Sequence, residues 1–168
     1  MSGDASGPTP VTRATEAAAA LGIPHRVVVF GRVSSAEEAA EKQGIPLAAL
    51  LRTIVVRRGA DDYLFVLVPG GRRFDWPKLR ALLGVTRMSL PDKDEAREVT
   101  GYERGTITPF GSERAWPTIV DATVLDHAEV SIGGGAFGVA LRLAPAELVA
   151  GLGAQVADVS IPDEGPEG

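Results

Sequence analysis

The residues best suited to chemistry without an ionisable nucleophile lie in one loop, Gly101-Tyr-Glu-Arg-Gly-Thr-Ile-Thr-Pro-Phe-Gly111. Gly105 can turn the chain in either sense, and Pro109 fixes the far end. Thr106, Ile107 and Thr108 lie between them and contribute backbone N–H groups. Held rigid, such amides polarise a carbonyl or stabilise an oxyanion. Tyr102, Ile107 and Phe110 are apolar and would wall a small pocket. A buried Ω-loop packed only for stability fits the same residues. Composition alone leaves these two readings level.

Other catalytic equipment is scarce. His25 and His127 are isolated, lie in no metal-ligand spacing and read as structural. There are no cysteines, so disulfides, thiolate metal sites and a Cys nucleophile are excluded. Gly133-Gly134-Gly135 precedes no Lys-Ser/Thr and is not a Walker A loop. It reads as a tight turn that also lets a ligand approach backbone. Asp121, ending Pro-Thr-Ile-Val-Asp, reads first as an Asx turn or a cap.

The chain has 168 residues, the length of one domain, and 45% are hydrophobic, enough for a core. No apolar run reaches the length of a membrane span, and no signal peptide is evident, so a cytoplasmic location is expected. The net charge of −5 argues against a strong, non-specific nucleic-acid binder. Residues 1–9 and 160–168 read as mobile tails, and 10–159 as the folded body. Charge within the body is uneven. Arg52 to Arg87 contains eight basic and three acidic residues. That segment is either a solvated face or a surface that meets phosphates.

The elements that must position these residues can be read along the chain. A helix is expected from Pro10, capped by Thr9, to Gly22. A strand follows at His25 to Phe30, then a helix opened by Ser34 and Ser35 that runs to Gly44. A helical turn is expected at Pro46 to Leu50. Strands at Leu51 to Arg57 and Tyr63 to Val68 are joined by a hairpin-type connection. Helices follow from Asp75 to Gly84 and from Pro91 to Thr100. After the loop come strands at Thr118 to Val120, Ala128 to Ile132 and Gly138 to Leu143, a helix from Pro145, and a strand at Gln155 to Val159. The class is α+β, with a mixed, partly closed, mainly antiparallel sheet flanked by helices.

Taken in order, several stretches resemble one family. They are Ser34 to Val56 (SSAEEAAEKQGIPLAALLRTIVV), Leu64 to Gly84 (LFVLVPGGRRFDWPKLRALLG), the loop TGYERGTITPFG, then PTIVD and GGGAFGVALRLAPAEL. Together they are similar to the YbaK/prolyl-tRNA-synthetase-associated domain, whose members hydrolyse mischarged aminoacyl-tRNA. The resemblance implies a freestanding trans-editing deacylase that acts by positioned water and backbone polarisation. It implies mischarged aminoacyl-tRNA as substrate and an aminoacyl-tRNA synthetase as a further partner, with no membrane, DNA, metal or cofactor.

It also implies site residues. Arg52 and Gly105 are the candidate catalytic residues. Phe30, Thr53, Thr106, Ile107, Thr108, Pro109, Phe110 and Gly134 are the candidate substrate-binding residues. Arg57, Arg72, Arg73 and Lys78 are the candidate tRNA contacts. Two departures from the family pattern stand out. Arg52 occupies the place of a lysine, so it should bind or polarise rather than act as a base. Gly133 and Ala140 occupy the places of the Ser and Asp found in members that act on cysteinyl-tRNA. The rival reading is a module that binds an aminoacyl-adenosine-like ligand or a synthetase without hydrolysis.

Overall fold

The computed structural model describes residues 10–163. The expected cap at Thr9, the first tail (residues 1–9) and residues 164–168 lie outside them. The helices are α1 (Arg13–Ala20), α2 (Ala36–Gln43), α3 (Trp76–Leu83), α4 (Lys93–Thr100) and α5 (Pro145–Leu152). The strands are β1 (Arg26–Val29), β2 (Leu51–Gly59), β3 (Asp62–Pro69), β4 (Arg72–Phe74), β5 (Thr118–Asp121), β6 (Val130–Gly133), β7 (Val139–Leu143), β8 (Gln155–Ala157) and β9 (Ser160–Pro162). Short 3-10 turns occupy Leu47–Ala49 and Ala122–Asp126.

Helix boundaries follow local chemistry. Ser35, Asp75 and Asp92 each accept the backbone N–H three residues on, and Gly44, Gly84 and Gly101 end those helices in the left-handed region. Helix α1 starts later than its sequence suggests. Its cap is Thr12, which exchanges hydrogen bonds with Thr15.

The sheet is mixed. Strands β2-β3-β5-β8 form one unit and β1-β7-β6 another, and β4 pairs with β9. Only the β3–β5 and β5–β8 pairs are parallel. A single parallel bridge, Leu50 to Ser131, ties the start of β2 to β6 and joins the two larger units. Strand β3 is central: seven of its eight residues are buried. Its side chains alternate between two faces. Leu64, Val66 and Val68 pack with Leu79 of α3, whereas Leu67 packs with Ala14 and Ala18 of α1 and Leu148 of α5. Alanine at positions 14 and 18 lets α1 approach closely, because neither side chain extends beyond Cβ.

Residues 160–162, expected in the second tail, instead form β9. The Arg72 guanidinium donates to the Ser160 hydroxyl at 2.7 Å and to its carbonyl at 3.2 Å. The Lys78 ammonium donates to the same carbonyl at 2.9 Å. Asp121 locks this end from inside. It is 1% exposed, caps the following turn through Thr123, and accepts the Val159 N–H at 3.1 Å. Burial alone would raise its pKa. Hydrogen bonds from Thr123, Val159 and Ser160 outweigh that and hold it below the ordinary 3.8.

A depressed folded pKa gives stability that is complete above the ordinary value and is lost as pH falls through the lower one. Asp121→Ala should therefore cost at least about 2 kcal/mol at pH 7, because it strands buried donors. Urea unfolding should show the gap from wild type narrowing below the ordinary value of 3.8.

Candidate active site

The loop at residues 101–111 is built from its base upward. The buried Tyr102 hydroxyl donates to the Phe110 carbonyl at 2.6 Å and closes the loop's neck. Burial pushes the Tyr102 pKa up, against the opposing pull of Arg13, so the hydroxyl keeps the proton it donates. The Arg13 guanidinium lies 4.9 Å over the Tyr102 ring and donates to the Gly111 carbonyl at 2.6 Å and the Gly101 carbonyl at 3.2 Å. A Cβ at Gly111 would meet the Arg13 carbonyl oxygen at 2.5 Å, so only glycine allows this approach.

The tip is a tight turn. The Thr106 N–H donates to the Glu103 carbonyl at 2.9 Å, and the Thr106 hydroxyl donates to the same oxygen at 2.7 Å. Gly105 occupies the third position with φ +95°, where a side chain is strained. A Cβ there would also sit 2.9 Å from Cε1 of Phe137. Of the amides between Gly105 and Pro109, the Thr106 N–H is therefore spent on the turn. Those of Gly105, Ile107 and Thr108 meet no acceptor among the described residues, and Thr108 is buried away from the cleft.

Beside this tip lies a cleft with two lobes, at the seam between the two larger sheet units. The larger, of about 470 Å³, is bounded by β2 from Leu51 to Val55, by Lys93 at the start of α4, and by Arg104 and Ile107 of the loop. The smaller, of about 340 Å³, is bounded by Phe30, α2, Thr106, β6 and Phe137. Leu51, Gly105 and Gly133 border both lobes. Volumes of this size suit small organic ligands.

Several of the residues singled out in the sequence do meet here. Arg52, Thr53, Gly105 and Ile107 line the larger lobe, and Phe30, Gly105 and Thr106 the smaller. Arg52 spends one donor on the Arg72 carbonyl at 2.6 Å and keeps an exposed guanidinium.

The other residues lie elsewhere. Phe110 is 1% exposed and belongs to the main core, because the Tyr102 closure folds it inward. Thr108 is fully buried, with its hydroxyl 3.4 Å from the Phe110 N–H. Pro109 faces a separate groove beside Trp116. Gly134 is buried one position beyond the cleft, its N–H donating to the Val139 carbonyl. Gly133 takes the bordering place, and a Cβ there would meet nothing closer than 3.6 Å.

The four basic residues expected to meet tRNA do not line the cleft. Arg57 pairs with Glu95 at 3.3 Å, Arg73 with Asp163 at 3.7 Å and Lys78 with Asp158 at 2.9 Å. Arg72 holds β9. The cleft's basic border is instead Arg52, Lys93 and Arg104, with Arg32 stacked 4.1 Å over the Phe137 ring. Arg104 sits inside the singled-out loop, and that position was the available signal. Lys93 gave none.

The aminoacyl-tRNA editing domain family matches residues 31–150, and the chain belongs to that family. A candidate Cys-tRNA(Pro)/Cys-tRNA(Cys) deacylase, EbsC of Enterococcus faecalis, is 25% identical over 126 residues, covering 75% of this chain and 77% of that one. A proline–tRNA ligase of Thermosipho africanus is 29% identical over 82 residues, covering 49% of this chain but only 14% of the ligase. The crystal structure of a candidate trans-editing enzyme for prolyl tRNA synthetase superposes with a TM-score of 0.83 at 30% identity, covering 89% of this chain and 95% of that one.

Tyr102→Phe should remove the loop's closing bond and cost about 1 kcal/mol in urea unfolding. Faster hydrogen exchange should follow at residues 103–108 while β3 amides stay protected.

Proposed function

We propose that the chain is an aminoacyl-tRNA deacylase acting in trans, which hydrolyses the ester between a mischarged amino acid and the terminal ribose of tRNA. The observation that carries this reading is the unspent Gly105 amide at the junction of two unlike lobes. The larger lobe carries Arg52, Lys93 and Arg104 and suits a nucleotide with its phosphates. The smaller carries no charged side chain and suits the aminoacyl side chain. An ester that spans both lobes lies at Gly105.

Water attacks the ester carbonyl carbon. The carbonyl oxygen gains negative charge, which the Gly105 and Ile107 amides stabilise. As the intermediate collapses, the C–O bond to ribose breaks. The attacking water gives up a proton to solvent and the ribose oxygen takes one up, leaving a free amino acid and tRNA with its hydroxyl restored. An aminoacyl ester is already activated, so positioning and carbonyl polarisation suffice without a side-chain nucleophile. Arg52 stays protonated and acts by binding. Proline–tRNA ligases recur among the relatives, which makes tRNA for proline the first acceptor to test.

Mischarged tRNAs carrying a series of small amino acids should release amino acid in the presence of the protein. Arg52→Ala should lower kcat/KM at least about tenfold, and Arg52→Lys should retain most of it. Release from none of the tRNAs, with binding retained, would return the chain to the binding-module reading. Wild-type kinetics in Arg52→Ala would remove Arg52 from the site.

A further inference from the structure

Five polar residues border the smaller lobe, and three of them, Ser34, Ser35 and Thr106, have their hydroxyls engaged with Glu38 or Glu103; the other two, Gln43 and Ser131, pair with each other. Gln43 is the last residue of α2, and Ser131 lies in β6, two residues before Gly133 on the same strand face. Both border the lobe. The Ser131 hydroxyl donates to Oε1 of Gln43 at 2.8 Å, and Ser131 is only 1% exposed. Nε2 of Gln43 is shut off from solvent and meets no acceptor among the described residues. A buried amide donor in that state is costly to the free protein, and a ligand that brings an acceptor relieves the cost.

The surroundings restrict which acceptor fits. Among the described residues no Lys, Arg, Asp or Glu lines this lobe, and Arg32 lies against the Phe137 ring without joining the lining, so a charged side-chain tip would be desolvated without a partner inside it. Phe30, Val33, Ala39 and Ala140 supply apolar contact around the pair. Resting on the assignment of this lobe to the aminoacyl side chain, we infer that Gln43, held by Ser131, selects a small, neutral, hydroxyl-bearing aminoacyl group. A hydroxyl satisfies the site in either orientation of the Gln43 amide. It accepts from Nε2 once the Gln43 side chain turns that nitrogen toward the lobe. It donates to Oε1 if the amide is turned and Nε2 bonds to Ser131. A methyl group of the same size does neither.

Threonine and valine differ by that exchange, which makes them the discriminating pair. Non-hydrolysable amide-linked threonyl-adenosine and valyl-adenosine should be titrated calorimetrically into wild type and Gln43→Met, a variant of similar length without the amide. Wild type should bind the threonyl compound at least about tenfold more tightly. Gln43→Met should bring the two within about twofold, with the valyl compound bound as well as before or better. Ser131→Ala, a smaller change, should narrow the ratio in the same direction.

Equal binding of the two compounds by wild type, binding of neither, or an unchanged ratio in Gln43→Met overturns the inference. Deacylation of threonyl- and valyl-tRNA is read separately. A threonyl preference in binding without hydrolysis of either ester would sink the deacylase reading and leave the selectivity of the pocket standing.

Discussion

One hydrogen bond, from the Tyr102 hydroxyl to the Phe110 carbonyl, fixes the loop on which the site depends. It turns an eleven-residue connection into a closed loop with a buried neck. Phe110 is drawn into the core as its carbonyl is engaged, and Arg13 holds both ends of the neck. The tip is then free to form a tight turn around Gly105, with the amides of the cleft-lining Gly105 and Ile107 left unspent. Rigid amides need no reorganisation when charge develops on a carbonyl, and that is the condition for a site without a titrating nucleophile.

The rest of the fold places this tip. The two larger sheet units meet through the Leu50–Ser131 bridge. Leu51 and Gly133 lie beside that seam and border both lobes of the cleft. Strand β3, buried along nearly its whole length, anchors one unit between α3 on one face and α1 and α5 on the other. Charge is divided the same way. Arg52, Lys93 and Arg104 border one lobe, and the other is neutral. An aminoacyl ester of tRNA is polar and anionic at one end and compact at the other, and the cleft has the same asymmetry.

Much of this was legible in the sequence because it rests on local chemistry. Serine or aspartate before a helix and glycine after it marked α2 and α3, Pro91 marked the approach to α4, and the cap role favoured for Asp121 is the one it plays. The spacing of Gly105 and Pro109 marked the loop. What stayed hidden depends on long-range register. Ser160 to Pro162 reads as tail because a proline among acids suits no central strand. On an edge paired with β4, the same residues are acceptable. The density of Arg and Lys from 52 to 87 was visible, but not that Arg57, Arg73 and Lys78 face carboxylates from distant segments. Phe110 looked like a pocket wall because its burial is decided by a tyrosine eight residues away. Gln43 and Ser131 are 88 residues apart, and neither is unusual in its own element.

The loop amides are the groups proposed to hold the reacting carbonyl. The most direct measurement is the set of backbone amide shifts in isotope-labelled protein as an amide-linked aminoacyl-adenosine is added. Saturable shifts should centre on Gly105 and Ile107 and extend to Gly133, with Thr106 changing least because its N–H is already engaged. Shifts confined to Lys93 and Arg104, with Gly105 and Ile107 unmoved at saturation, would contradict it.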